Sequence, residues 1–109
     1  MGLDVYLEGI PKEPILLYSG GVTHNLTRMA QEAGLYYALW RPDEHGYTHA
    51  HQLVPILTEG LRLLKNEPNR FSTFNPTNGW GDYDGFVEFV EKYLIACTSY
   101  PDATVRVWR

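Results

Sequence analysis

The sequence has little cysteine, no long apolar run and no excess of positive charge. A single cysteine, Cys97, excludes an internal disulfide framework and an all-cysteine zinc site. Apolar runs extend over only a few residues, so we expect no membrane span and no signal peptide. The 9 basic and 13 acidic residues give a net charge of −4, which argues against general nucleic-acid binding. These features predict an intracellular protein in a reducing compartment, without a membrane partner.

The composition is otherwise that of a single folded domain. The chain has 109 residues, of which 44% are apolar, enough for one hydrophobic core. No internal repeat, low-complexity tract or linker is present, so we treat residues 1–109 as one domain. Aromatic residues make up 14% of the chain and include eight tyrosines and three tryptophans, which is the unusual feature of the composition.

Alternating patterns at both ends of the sequence predict strands. Residues 2–8 alternate apolar and polar side chains, and residues 103–108 do the same, which is the period of a half-buried strand. We expect these two strands to pair in a small antiparallel sheet. After a turn at Pro11 and Pro14, residues 15–18 form a short apolar run that is either a second strand or an extended segment. Residues 19–21 (SGG) are typical of a flexible turn.

The middle of the chain has the spacing of helices. We predict helices over 24–33, capped by Thr23 and stopped by Gly34, and over 35–41, closed by Pro42. The predicted fold class is therefore α+β and mostly helical, with three to four helices packed on the small sheet.

Two longer helices follow, separated by a loop. Thr48 caps a predicted helix over 49–66, in which Pro55 should introduce a kink or delay the start, and Gly60 should allow close approach of another element. Asp82 caps a predicted helix over 83–98. Residues 67–81, with three large aromatics, predict a packed irregular loop containing one turn of helix.

The first candidate site is the segment that enters the first helix. A glycine turn at Gly20 and Gly21 before a helix N-terminus would offer free N–H groups to an anion such as phosphate. The side chains of Thr23, His24 and Asn25 would add hydrogen-bond donors. The structural alternative is an ordinary turn followed by a helix cap.

The second candidate site is Trp40 with Arg41. An indole beside a guanidinium suits a nucleobase and its phosphate. The alternative is that Trp40 ends a core helix and Arg41 pairs with Asp43, Glu44 or another acid.

The third candidate site lies in the loop before the last helix. Asn75, Asn78, Trp80 and Tyr83 are residue types that line polar and aromatic ligand pockets. The alternative is turn chemistry, because asparagine and glycine favour left-handed backbone. We rank this loop first among the three segments.

Catalytic and metal-binding groups are poorly represented. His45 and His49 are four residues apart, but Gly46 and Thr48 make a continuous helix between them doubtful, and His51 would face elsewhere. Cys97 lies on an apolar stripe and should behave as a small hydrophobe. We therefore predict no metal, no cofactor and no catalytic residue, and we favour a protein that is not an enzyme.

Three strings in the sequence resemble a family of small phage and prophage proteins of uncharacterised function. They are THNL and LWRP within residues 22–42 and NGWG within residues 74–83, and the start MGLDVYL and the tail 93–109 are also similar to the family. The resemblance covers most of the chain and implies a phage origin rather than an activity.

By analogy with phage counter-defence proteins, the resemblance implies sequestration of a nucleotide-derived immune signal in the cytoplasm of a bacterial host. The signal would be a cyclic nucleotide or a molecule similar to ADP-ribose. Trp40, Trp80 or Tyr83 would stack on its bases, and its phosphates would bind at Gly20 and Gly21 or on Arg41. We also expect a homo-oligomer, in which a loop of a second copy buries the ligand.

Two alternatives remain open. One is a small phosphodiesterase-like enzyme that acts on the same signals through His24 with His49 or His51. The other is an inhibitor that binds a host defence protein through exposed aromatic side chains.

Overall fold

A three-stranded antiparallel sheet joins the beginning of the sequence to its end. The computed structural model describes residues 2–9 and 16–109, with strands β1 (Gly2–Glu8), β2 (Leu16–Thr23) and β3 (Thr104–Trp108) in the order β2–β1–β3. The predicted strand over 2–8 and its pairing with the last strand are confirmed. The expected turn at Pro11 and Pro14 lies outside the described residues.

Strand β2 is longer than the sequence predicted. The apolar run is a strand, as expected, but residues 19–21 do not form a flexible turn, and that prediction is wrong. In the register of the sheet Ser19 pairs with Tyr6, Gly20 with Val5 and Gly21 with Asp4. Pairing with β1 therefore overrides the weak strand preference of serine and glycine.

Five α-helices occur in the part of the chain that the structure describes. They are α1 (Thr27–Glu32), α2 (Tyr36–Trp40), α3 (Ala50–Asn66), α4 (Pro68–Ser72) and α5 (Tyr83–Ser99). The predicted helix over 24–33 begins with a 3₁₀ turn at His24–Leu26, and α4 is the single turn expected in the loop. The α+β class, with helices packed on a small antiparallel sheet, is confirmed. No helix of the described residues is long and apolar enough to cross a membrane.

The predicted helix ends agree with the structure at three places. The hydroxyl of Thr23 accepts a hydrogen bond from the Asn25 N–H at 3.3 Å, and Asp82 accepts one from the Gly85 N–H at 2.7 Å. Gly34 stops α1 in the left-handed conformation, with φ of +74°. These signals are local, so sequence alone could identify them.

The start of α3 differs from the prediction by one residue. His49, not Thr48, is the cap residue, and the Gln52 side chain accepts hydrogen bonds from the N–H groups of both at 3.0 and 2.7 Å. The helix begins at Ala50, so Pro55 does not delay its start.

The core lies between one face of the sheet and the two long helices. Strand β1 contributes Leu3, Val5 and Leu7, all fully buried. Gly60 of α3 packs directly against the Leu35 side chain, where any Cβ would overlap it, so the predicted close approach is confirmed. The opposite face of the sheet is not covered by any helix of the described residues, which leaves Asp4 and Trp108 exposed.

Candidate functional site

The largest cleft described lies where β1 begins and β2 ends. It has a volume of about 730 Å³, and we call it the Trp80 cleft. Its lining residues are Gly2, Leu3, Asp4, Gly21, Val22, Thr23, His24, Asn25 and Trp80.

The cleft brings together two of the three predicted segments. Gly21, Thr23, His24 and Asn25 come from the first segment, and Trp80 comes from the loop before α5. The contact between the segments is made by the residue after Trp80. Gly81 has φ of +95°, and a Cβ on it would lie 2.6 Å from Thr23 Cγ2, so only glycine allows the loop to approach this closely.

Trp80 is the most exposed large apolar side chain of the described residues. Its side chain is 70% exposed, and its indole stacks on no other ring in the described part of the chain. Only its backbone is fixed, because the Trp80 N–H donates to Asn78 Oδ1 at 3.0 Å in a turn that continues through Gly79. The indole is therefore available to an aromatic ligand.

His24 presents a hydrogen-bond donor of defined position. The indole N–H of Trp40 donates to His24 Nδ1 at 2.8 Å. Because an indole nitrogen can only donate, Nδ1 must accept, and the neutral ring carries its proton on Nε2. Buried Trp40 thus fixes both the orientation and the tautomer of His24.

Asp4 supplies the acidic group of the cleft, and sequence analysis missed it. It pairs with Gly21 on one side and with Trp108 on the other. A Cβ on Gly21 would lie 2.8 Å from Asp4 Oδ1, so the carboxylate occupies space that only glycine leaves free. In the alternating pattern of β1, Asp4 has the position of an ordinary solvent-facing residue. That a glycine lies opposite it follows from the register of β1 and β2, which the spacing of residues does not predict.

The second predicted site does not form. Trp40 is only 2% exposed and stacks on Tyr36 with 5.8 Å between ring centroids, so it cannot stack on a ligand. Arg41 donates to the Tyr36 hydroxyl at 3.0 Å and to Glu44 at 2.6 Å, and these bonds raise the pKa of Arg41. The structure therefore has the alternative arrangement, in which Trp40 belongs to the core and Arg41 pairs with an acid.

Three residues of the loop before α5 have structural roles. Asn75 Oδ1 accepts a hydrogen bond from the Tyr83 N–H at 2.8 Å, and the Tyr83 hydroxyl donates to the Leu64 carbonyl at 2.6 Å. Asn78 holds the turn at Trp80. Burial and the nearby charge of Asp84 raise the pKa of Tyr83. Of this segment only Trp80 lines the cleft, and the two asparagines act as turn residues.

The predicted glycine turn, on which the expected anion site depends, is also wrong. Gly20 and Gly21 lie in β2 rather than in a turn that opens into a helix, so they do not form a cradle of free N–H groups. Gly20 borders a separate groove of about 370 Å³ between β2 and α5. Among the described residues no lysine or arginine lines the Trp80 cleft, and the charged side chain there is acidic. The described lining therefore offers no cation to a phosphate.

The histidines do not form the enzymatic pair considered above. His24 lies at the Gly2 end of β1, because the residue before it, Thr23, pairs with Gly2. His49 lies at the Glu8 end, because it forms a β-bridge with Thr104, which pairs with Glu8. The two histidines therefore lie at opposite ends of β1, on the order of 20 Å apart. That placement rules out a joint site of His24 with His49.

The other chemistry-bearing groups are dispersed. The rings of His49 and His51 stack with 5.9 Å between centroids, while His45 packs on Tyr37 at 4.2 Å. Among the described residues no three histidine, cysteine or acidic side chains form a group that could hold a metal ion. Cys97 is buried, and burial raises the pKa of its thiol to about 12.

The geometry of the cleft, rather than similarity to a known protein, is the basis for the proposed function. The resemblance to phage proteins carried by THNL, LWRP and NGWG stays a prediction. No family model, curated protein or solved structure matches this chain.

Proposed function

We propose that this protein binds a small molecule with a planar, nucleobase-type ring in the Trp80 cleft and releases it unchanged. The observation that carries the proposal is the indole of Trp80, which is 70% exposed beside a cleft lined by polar side chains. Stacking of a base on an aromatic side chain contributes about 1–3 kcal/mol. A volume of about 730 Å³ also falls within the range of small-molecule sites.

The ring, rather than a phosphate, provides the binding energy in this proposal. The described lining of the cleft has one acidic side chain and no lysine or arginine, so an anionic group would gain no ion pair from it. Any phosphate of the ligand would extend into solvent. Affinity should consequently depend only weakly on salt concentration, unlike binding that relies on phosphate contacts.

Recognition without catalysis fits the way His24 is held. Its Nδ1 is occupied by the Trp40 N–H, so the neutral ring of this cleft-lining residue carries its proton on Nε2. A ring held in one tautomer is suited to reading a ligand acceptor. Thr23 and Asn25 add a hydroxyl and an amide at the same wall.

On the phage-type resemblance, we further propose that the ligand is a nucleotide-derived immune signal sequestered in the host cytoplasm. The cleft is open on one side, so tight sequestration would require a cover. A second copy of the chain would supply it, which keeps the proposal of a homo-oligomer. Mass measurement in solution, with and without ligand, tests that part.

The test is a bind-and-release experiment with two variants of exposed aromatic residues. Purified protein is mixed with cyclic nucleotides and ADP-ribose derivatives, filtered and denatured, and the released material is weighed by mass spectrometry. Trp80→Ala should weaken binding about tenfold or more. Tyr100→Ala is the control, because Tyr100 is 41% exposed but borders a different depression of the surface, and it should bind normally.

Three outcomes would contradict the proposal. Fragments of the ligand would show turnover and favour an enzyme. Equal loss in both variants would remove the Trp80 cleft as the site. Retention of no compound would remove the nucleotide-type ligand.

The second candidate function, protein binding, is supported by the outer edge of β2, with which no other described strand pairs. The Val105 N–H donates to the Thr48 carbonyl at 2.9 Å, on the side of β3 away from β1. Along a central antiparallel strand, successive residues direct their backbone hydrogen bonds to the two neighbouring strands in turn. Val105, opposite Leu7, bonds away from β1, so the backbone of Tyr6 bonds to β3 and the backbone of Val5 bonds to β2. The N–H of Ser19, opposite Tyr6, therefore points away from the sheet.

This edge lacks the residues that usually prevent an exposed strand from pairing with another chain. Strand β2 (LLYSGGVT) contains no charged residue and no proline, which are the residues that keep natural edges from adding a strand. If a host protein pairs here, Ser19→Pro should abolish the complex by removing an outward N–H, while Ser19→Ala should retain it. Equal binding by both variants would contradict edge pairing.

A further inference from the structure

We infer, on the basis of the proposed function, that the Trp80 cleft selects a guanine ring over an adenine ring and that Asp4 is the residue that determines this specificity. The selected feature is a ring edge with two adjacent N–H donors. The inference goes beyond the proposed function because ring binding by Trp80 alone would not distinguish the purines.

Asp4 forms no ion pair with a described residue. Asp82, Asp84 and Asp102 also form none, but they do not line the Trp80 cleft. Every glutamate that the structure describes has a lysine or arginine partner within 4.0 Å, as Glu8 has in Arg106 at 3.0 Å. Asp4 has no ion-pair partner among the described residues, although Arg106 is also on the uncovered face of the sheet. An exposed, unpaired carboxylate on a cleft wall is available to a ligand.

The sheet register places this carboxylate against an empty neighbouring position. Asp4 lies on the central strand, with Gly21 opposite it on β2. A Cβ on Gly21 would lie 2.8 Å from Asp4 Oδ1, so the carboxylate lies beside the bare Gly21 backbone, and Asp4 is exposed on the cleft wall. An alanine at this position would crowd the oxygen that the ligand must reach.

The chemistry of a carboxylate favours guanine. An ionised carboxylate only accepts hydrogen bonds, and its two oxygens accept two parallel donors side by side. Guanine presents such a pair in N1–H and the 2-amino group. Adenine presents one amino donor next to an acceptor nitrogen, which would face a carboxylate oxygen and repel it.

The other groups of the cleft complement the remaining edge of the ring. His24 offers its Nε2–H as a donor, and guanine carries O6 and N7 as acceptors. Trp80 provides the stacking surface, while Thr23 and Asn25 remain for a ribose. The cleft therefore presents an acceptor pair, a donor and an aromatic face, which together match guanine.

The experiment compares guanosine, inosine and adenosine by isothermal titration calorimetry with the whole chain. Wild-type protein should bind guanosine at least about tenfold more tightly than adenosine, because a charged hydrogen bond is lost with adenosine. Inosine, which lacks the 2-amino group, should lie between them. Guanosine 5′-monophosphate should bind as guanosine does, because the described residues that line the cleft include no lysine or arginine.

The test of Asp4 uses Asp4→Asn with Asp102→Asn as the matched control. Asp102 also lacks an ion-pair partner in the described residues, and it lines a different depression of the surface. Asp4→Asn should reduce the guanosine-to-adenosine ratio to within about threefold, because the amide presents a donor to N1–H. Asp102→Asn should retain the wild-type ratio. Circular dichroism spectra equal to wild type establish that both variants fold.

Failure of the inference and failure of the proposed function give different results. If no nucleoside binds, the proposed function is wrong. If guanosine and adenosine bind equally and Trp80→Ala weakens both, the proposed function stands and the guanine specificity is wrong. If Asp4→Asn keeps the wild-type ratio, the assignment of Asp4 is wrong.

Discussion

His24 contacts Trp40 and shares a cleft with Trp80, yet the two tryptophans have opposite surroundings. Trp40 is 2% exposed, donates its indole N–H to His24 and stacks on Tyr36. Trp80 is 70% exposed, and only its backbone is held by a hydrogen bond. Near one histidine, then, one indole serves the fold and the other is free for a ligand.

The difference shows that availability, rather than residue type, defines a candidate site. Both tryptophans stand beside polar residues and both met the sequence criteria for ligand binding. Around Trp40, the guanidinium of Arg41 already donates a hydrogen bond to the Tyr36 hydroxyl. Around Trp80, Asp4 and His24 line a cleft.

Truncation of each tryptophan gives the largest expected contrast. Trp40→Ala should lower the free energy of unfolding by about 3–5 kcal/mol, because it removes a large buried side chain and leaves a cavity. Trp80→Ala should change it by less than about 0.5 kcal/mol. Urea denaturation measures both. Similar losses in the two variants would contradict the division between core and cleft.

Removal of the Trp40 N–H alone sharpens the comparison. Trp40→Phe keeps an aromatic ring but leaves His24 Nδ1 without its donor, which should cost about 1–3 kcal/mol of unfolding free energy. Nitrogen NMR of the His24 ring should show loss of the single tautomer. Trp108→Phe is the control, because Trp108 is exposed, and it should leave the His24 spectrum unchanged.

Tyr93 is a buried group that does not follow the pattern of Trp40. Its hydroxyl has no hydrogen-bond partner in the described residues, and burial raises the pKa of Tyr93 well above its ordinary value. Tyr93→Phe removes this unpaired hydroxyl and should raise the unfolding free energy by about 1 kcal/mol. A lower denaturation midpoint for the variant would show that the hydroxyl has a partner in solution.

The smallest effect is expected at Arg41. It bonds to Tyr36 and Glu44 outside the Trp80 cleft, so Arg41→Ala should keep nucleoside affinity within about twofold of wild type. Loss of its exposed ion pair should change the urea denaturation midpoint little. Calorimetry with the same nucleosides measures the affinity. A loss as large as that of Trp80→Ala would restore the phosphate site originally predicted here.

Local sequence signals predicted most of the fold. The alternation in β1 and β3, the caps at Thr23 and Asp82 and the left-handed stop at Gly34 each depend on a few neighbouring residues. Strand β2 shows the limit of such signals. Gly20 and Gly21 favour turns in isolation, and only their pairing with the central strand makes them part of a sheet.

The candidate site was predicted in part. The segment around His24 and the loop at Trp80 were both identified, but their meeting depends on the close contact of Gly81 with Thr23. Asp4 was missed because its proposed role depends on the glycine opposite it, Gly21. That pairing follows from the register of the two strands and not from the spacing of residues in the sequence. The same limitation made Trp40 look equivalent to Trp80, since burial is a property of the folded chain.

The position of β1 between its two partners has a consequence for the time course of folding. Strand β2 follows β1 closely, but Asp4 pairs with Trp108, near the other end of the chain. During synthesis the central strand therefore has one free edge until almost all residues described here have left the ribosome. Pairings between such distant residues form slowly, because a long loop must close before they are gained. Residues 104–108 thus complete a sheet that residues 2–8 began.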